Sequence, residues 1–156
     1  MRILGIDPGS RITGYGIIDL IDGEKIHVAS GAITLKDREM PPRLVLLQRK
    51  ISDLIAEFKP DECAIEAIFV HKNPNSALKL GQALGVAVCA VASAQIEIFN
   101  YAPRLVKQTV TGQGGAEKTQ IQEHIREVFK FEGKIQPDCA DALAIALTHA
   151  LKVHTE

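Results

Sequence analysis

The sequence predicts an α/β protein, a mixed five-stranded sheet with three antiparallel strands followed by two parallel ones, flanked by helices. Three observations predict it. The apolar runs around Ile3-Leu4-Gly-Ile6 and Cys63-Ala-Ile65 are short and read as strands buried on both faces. The turns Pro8-Gly9-Ser10 and Asp22-Gly23-Glu24 tie the first run to two further β-rich segments. Beyond Pro41-Pro42, helical periodicity alternates with single short strands, as crossover connections require. At 156 residues and 46% hydrophobic content, residues 1–156 are expected to form one domain with an ample core.

The first strand ends on Asp7, and Thr13 to Ile18 begins a second strand that closes a hairpin. A third strand runs from about Lys25 to Thr34. The first helix follows the two prolines, with Leu44, Leu47, Ile51, Leu54, Ile55 and Phe58 on one stripe. Lys59-Pro60-Asp61 stops it, and the fourth strand, Cys63 to Glu66, again ends on a carboxylate. Phe69 to Pro74 reads as a loop. Asn75 or Ser76 is the expected cap of a helix running to about Ala94, apolar nearly all round and so in need of cover on more than one side. A fifth strand, Ile96 to Tyr101, is bounded by Pro103. Helical pattern then runs from Arg104 to Thr109, breaks at Gly112-Gln-Gly-Gly115, and resumes at Glu117 with Ile121, Ile125 and Val128. The last helix begins after Pro137 and carries Asp138 and Asp141 on one face of its first turn.

Composition narrows the function. Neither a signal-like leader nor an uninterrupted apolar run of membrane-spanning length is read from the sequence, so no membrane association is expected. Cys63, Cys89 and Cys139 fit neither a disulfide framework nor a zinc site; each has apolar neighbours and is expected buried and reduced, in a cytoplasmic protein. A net charge of −1 gives nucleic-acid binding no support by itself. The charge is uneven, however, with Arg104, Lys107 and Lys118 around the glycine-rich loop.

The acids carry the chemistry. In a sheet with crossover helices, ligands gather at the carboxyl ends of the strands. If the first and fourth strands are neighbours, Asp7 and Glu66 lie side by side there, and the last helix can deliver Asp138 and Asp141 to the same place. Converging carboxylates repel one another and require cations. An all-oxygen set selects Mg²⁺ or Mn²⁺ over zinc. Two such ions about 4 Å apart clamp the attacking and leaving oxygens of a phosphodiester displacement. Spacing alone leaves open the alternative of four unrelated acids capping turns and a helix start.

Beyond the individual acids, the segments Gly5-Ile-Asp7-Pro-Gly-Ser10, Ile65-Glu66, Asn75-Ser-Ala-Leu-Lys-Leu-Gly-Gln82, Val106-Lys-Gln-Thr109, Ala116-Glu-Lys118 and Ala140-Asp-Ala-Leu-Ala-Ile-Ala146 together resemble the RuvC family of bacterial Holliday-junction resolvases. The resemblance runs from Met1 to about His149, in order and at the expected distances. It implies a ribonuclease-H-like fold and a homodimer that nicks four-way DNA junctions symmetrically, at a preferred short sequence, in recombination and repair. It implies that Asp7, Glu66, Asp138 and Asp141 bind two Mg²⁺ ions, with Mn²⁺ able to substitute. Lys107 and Lys118 would stand near the scissile phosphate, and Phe69 would stack on an unpaired base at the crossover. The RuvA and RuvB branch-migration proteins would be its partners. The rivals are a phosphate-cradling ATPase lobe, for which the chain lacks a second lobe, a related nuclease acting on another nucleic acid, and a non-catalytic nucleic-acid-binding relative, which would be expected to have lost at least one of the acids.

Overall fold

The computed structural model describes residues 1–67 and 73–153. Strands β1 (Arg2–Asp7), β2 (Ile12–Ile21) and β3 (Glu24–Thr34) are followed by helix α1 (Met40–Phe58), β4 (Glu62–Glu66), α2 (Pro74–Ser93) and β5 (Glu97–Tyr101). Helices α3 (Pro103–Thr111), α4 (Lys118–Val128) and α5 (Pro137–Val153) complete the chain. The five strands lie in the order β3-β2-β1-β4-β5. β2 is antiparallel to both β1 and β3, whereas β4 is parallel to β1 and β5 is parallel to β4. This is the mixed sheet that the sequence predicts, with β1 and β4 as neighbours.

Strand alternation sorts the side chains into two cores. Leu4 and Ile6 of β1 and Cys63 and Ile65 of β4 face α1 and α2, meeting Leu47, Ile51, Ala83, Ala87 and Val91. Ile3 of β1 and Ala64 of β4 face the other way, toward Val106 and Val110 of α3, Ile121 and Ile125 of α4, and the alanine-rich α5. By the same alternation Asp7 and Glu66 belong to the α5 face. The register pairs Ile6 with Ile65, so the two acids that follow end up beside each other at the strand ends.

Helix α5 can lie against the sheet because the strands beneath it carry glycine. A Cβ built on Gly5 would stand 2.3 Å from the Ala142 carbonyl oxygen, and one on Gly14 would stand 2.2 Å from the Asp138 carbonyl oxygen. Gly5 is paired across the ladder with Gly16, and Asp7 with Gly14, so the glycines form one floor under the start of α5. The turn after β1 is fastened by Thr13, fully buried, whose Oγ1 donates to the Gly9 carbonyl at 2.9 Å and accepts from the Gly9 amide at 3.2 Å.

Three local expectations need correction. Helix α2 is capped by Asn73, not by Asn75 or Ser76: the Asn73 side chain accepts from both of those amides, and Pro74 occupies the first helical position. Cys63 and Cys139 are buried, but Cys89 is exposed, because it lies on the side of α2 that faces away from α1. By length and composition α2 would pass for a membrane span, against the expectation of no such run, yet Ala83, Ala87, Ala90 and Val91 pack it into the α1 side of the core.

Candidate active site

Three elements carry acids into one cavity of about 250 Å³. β1 contributes Asp7, β4 contributes Glu66 and α5 contributes Asp141. Lys107 from α3 and Lys118 at the start of α4 close its sides, and Val106, Ile121 and Ala144 give it an apolar wall. The Gly112 turn, in the left-handed conformation, ends α3. Glu117 caps α4 through a reciprocal pair with Gln120, so both lysine-bearing helices have fixed ends on this rim.

The apolar wall sets the electrostatics. Burial raises the Asp7 carboxyl well above the ordinary carboxylate range, and the charges of Glu66 and Asp141 raise it further. Glu66 is also raised, mainly by burial, while the proton it shares with Asp7 works in the opposite direction. Asp141 is raised by burial and eased by Lys118, whose Nζ lies 3.6 Å from Asp141 Oδ2. The Lys118 side chain is 74% exposed, so its pairing is a weak, screened one that does not cancel the cost of three acids in an apolar cleft. Asp138 is not among the residues lining the cavity. Its backbone closes on Gly14, and its charge acts on Asp141 from one helical turn earlier.

As they stand, no three acidic, histidine or cysteine side chains among the described residues are gathered closely enough to hold an ion. The donor set nevertheless fits a hard divalent cation, since it offers only carboxylate oxygens, and burial holds each of them above its ordinary pKa. Phe69, the expected stacking residue, lies outside the described residues.

The sequence reading missed a polar relay on α5. His149, fully buried, places Nε2 2.6 Å from Glu62 Oε2 and Nδ1 2.6 Å from Tyr101 Oη, with its ring 4.4 Å from that of Phe99. A carboxylate only accepts, so Nε2 donates to Glu62 and α5 is tied to both parallel strands two turns beyond Asp141. The only hint in the sequence was a histidine beyond the alanine-rich run of the last helix.

The raised acids make a stability prediction for the metal-free protein. A carboxyl whose folded pKa exceeds its unfolded value stabilises the fold below the ordinary carboxylate range, and that stability is lost as pH rises through the raised value. Each unit of elevation costs about 1.4 kcal/mol once both states are ionised. Asp7→Asn should therefore melt higher than wild type in EDTA at pH 8, with the gap closing toward pH 4. Added Mg²⁺ should raise the wild-type melting temperature more than the variant's. Thermal melts across that range check it, and a gap independent of pH would contradict it.

An α/β sheet with acids at the ends of two adjacent parallel strands and on the first turn of a covering helix is the architecture of a ribonuclease-H-like nuclease. The family model described as "Crossover junction endodeoxyribonuclease RuvC" matches residues 3–149. A RuvC from Dichelobacter nodosus is 53% identical over 99% of this chain and 88% of its own length, and one from Serratia proteamaculans is 54% identical over 94% and 85%. Among solved structures, Thermus thermophilus RuvC in complex with a Holliday junction substrate superposes with a TM-score of 0.92 at 28% identity, covering 99% of this chain and 96% of that one. The chain belongs to the RuvC family of crossover junction endodeoxyribonucleases, nucleases that generally depend on a divalent metal.

Proposed function

We propose that this protein resolves four-way DNA junctions by nicking two strands symmetrically, with Asp7, Glu66 and Asp141 as principal ligands of two Mg²⁺ ions and Asp138 contributing from one turn earlier on α5. The observation that supports this best is the convergence of acids from β1, β4 and α5 in one cavity flanked by Lys107 and Lys118. When bound, the ions supply the charge that activates water and stabilises the leaving oxygen. The protein's own groups do the rest. The carboxylates hold that charge in place, the apolar wall excludes bulk water, and the lysines meet the phosphate as point charges. Incubation with a four-way junction and with matching linear duplex tests the reading. Paired nicks in the junction alone, in Mg²⁺ and not in EDTA, are expected. Equal cutting of linear duplex would remove the junction from the reading.

Lys107 and Lys118 serve the reacting phosphate on this reading, and the family resemblance gives Phe69 a stacking role on an unpaired base. Lys118→Met, Lys107→Met and Phe69→Ala should each lower the single-turnover rate about tenfold or more and leave junction affinity within about tenfold. Phe69→Trp should retain most activity. If affinity alone fell, these residues would be anchors for DNA and not participants at the cut.

A two-fold substrate calls for two sites related by a two-fold axis, and we place the contact between copies on the outward face of α2. Leu84 and Val88 pack partly into the α1-side core, whereas Leu78, 69% exposed, points outward. A Cβ on Gly81 or Gly85 would meet nothing within 4 Å, so the chain's own packing does not call for glycine at either position. Each costs about 1 kcal/mol against alanine inside a helix, which suits a face that another backbone approaches closely. Leu78→Glu should give folded monomers by sedimentation, and a monomeric wild type at micromolar concentration would end the proposal. Cooperation with RuvA and RuvB, a cytoplasmic location and a single domain over 1–156 belong to the same reading. Stimulated resolution in the presence of RuvA and RuvB, cell fractionation, and one cooperative unfolding transition would test them in turn.

A further inference from the structure

A second groove opens beside the acid cavity and shares its wall. It is lined by Pro103, Arg104, Lys107, Gly114 and Gly115, with a volume of about 490 Å³, and it meets the acid cavity at Pro103 and Lys107. Arg104 is exposed and forms no ion pair or hydrogen bond among the described residues, although its stem is held. A Cβ built on Gly114 would lie 3.0 Å from both Cγ and Nε of Arg104, so the missing side chain at Gly114 is the space the arginine uses.

The loop that provides this rest is itself braced. Thr111 Oγ1 donates to the Lys107 carbonyl at 2.7 Å and accepts from the Gln113 amide at 3.2 Å, and the Ala116 amide reaches the Gln113 carbonyl at 3.1 Å. The Gly114 and Gly115 amides have no partner among the described residues. Arg104 and Lys107 are one helical turn apart, which places them on one face of α3 with Cβ atoms about 5–6 Å from each other, the scale of a single nucleotide step. A planar guanidinium beside free backbone amides is suited to a phosphodiester oxygen pair.

We propose that this groove holds the phosphodiester next to the one that is cut, with Arg104 as its cation and Gly114 aiming it. The proposal rests on the DNA-nicking reading above. Binding this neighbouring phosphate anchors the strand so that the scissile group is presented to the acids, which is a positioning role.

The test compares the wild type with Arg104→Ala, Arg104→Lys and Gly114→Ala. Junction and linear-duplex affinities are measured against salt in Ca²⁺, and single-turnover cleavage of the junction is measured in Mg²⁺ at saturating protein. Arg104→Ala should flatten the dependence of log affinity on log salt by about one unit and slow cleavage about tenfold. Arg104→Lys should keep the slope and lose rate, because it keeps the charge without the fork. Gly114→Ala, by displacing the side chain, should fall between wild type and Arg104→Ala in rate. Arg104→Ala matching wild type in slope would overturn the proposal. So would a flattened slope with an unchanged rate, which would put the arginine on a phosphate remote from the cut. A wild type that cuts duplex as fast as junction would end the junction reading, and the slope on duplex would still decide the role of Arg104.

Discussion

Replacing Asp7, Glu66 or Asp141 by its amide, as Asp7→Asn, Glu66→Gln or Asp141→Asn, lowers Mg²⁺-dependent cleavage by about a hundredfold or more and leaves junction affinity close to wild type. The amides keep size and hydrogen bonding but remove the charge that a divalent ion needs from an oxygen ligand. Affinity survives because binding draws on phosphate contacts with lysine and arginine, which these changes do not touch. Asp138→Asn is expected to cost less, since Asp138 lies off the cavity and acts on Asp141 through its charge. In Ca²⁺ the wild type should bind without cutting, because that ion's looser coordination does not fix the reacting groups. Single-turnover rates and junction titrations check both halves. An Asp7→Asn enzyme that retained more than about a tenth of the wild-type rate would show that the acids are not the metal ligands.

The elements of the site were legible because each leaves a local mark. Asp7 and Glu66 each end an apolar run too short to be a helix, and Asp141 follows a proline-initiated start. Parallel pairing of β1 with β4 then brings the first two together, and alternation puts both on the α5 face. What was not legible depends on distances between segments far apart in sequence. Gly5, Gly14 and Gly16 share a purpose that no local pattern marks, the approach of α5, more than a hundred residues later. The displacement of Asp138 from the cavity follows from the same approach, since its backbone rests on Gly14.

Helix α2 shows the limit of composition alone. Its residues are apolar on every side, so their sequence does not say which ones face α1. The contacts do: Leu84 and Val88 lean into the core, while Leu78, Gly81, Gly85 and Cys89 look outward. The cap at Asn73 was missed because Asn75 and Ser76 are equally good capping residues by type. Pro74 decides between them, being suited to the first helical position and unable to donate an amide there. Arg104 was visible as a cation near a glycine-rich loop, but only its rest on Gly114 gives it a direction.

The glycine floor carries the largest expected effect on stability. The methyl group of Gly5→Ala would stand 2.3 Å from the Ala142 carbonyl oxygen and 2.9 Å from both N and Cβ of Ala146. Two of these are backbone atoms in mid-helix, so no rotamer change relieves the clash, and α5 must lift from the sheet as a unit. Overpacking of this kind costs about 1–3 kcal/mol and sometimes more, which for a domain of this size lowers the melting temperature by roughly 6–12 °C at the upper end. The same displacement acts on the site. Asp141 is the residue immediately before Ala142, so lifting the Ala142 carbonyl draws the Asp141 carboxylate away from Asp7 and Glu66. A misplacement of about 1 Å can cost about a hundredfold in rate. Gly5→Ala should therefore show both losses, with cleavage at 25 °C falling about a hundredfold in protein that circular dichroism shows to be folded. Gly14→Ala should behave alike, because its methyl group would stand 2.2 Å from the Asp138 carbonyl oxygen. A Gly5→Ala protein with wild-type melting and wild-type cleavage would mean that α5 is not held to the sheet at this distance, and that the position of Asp141 is set elsewhere.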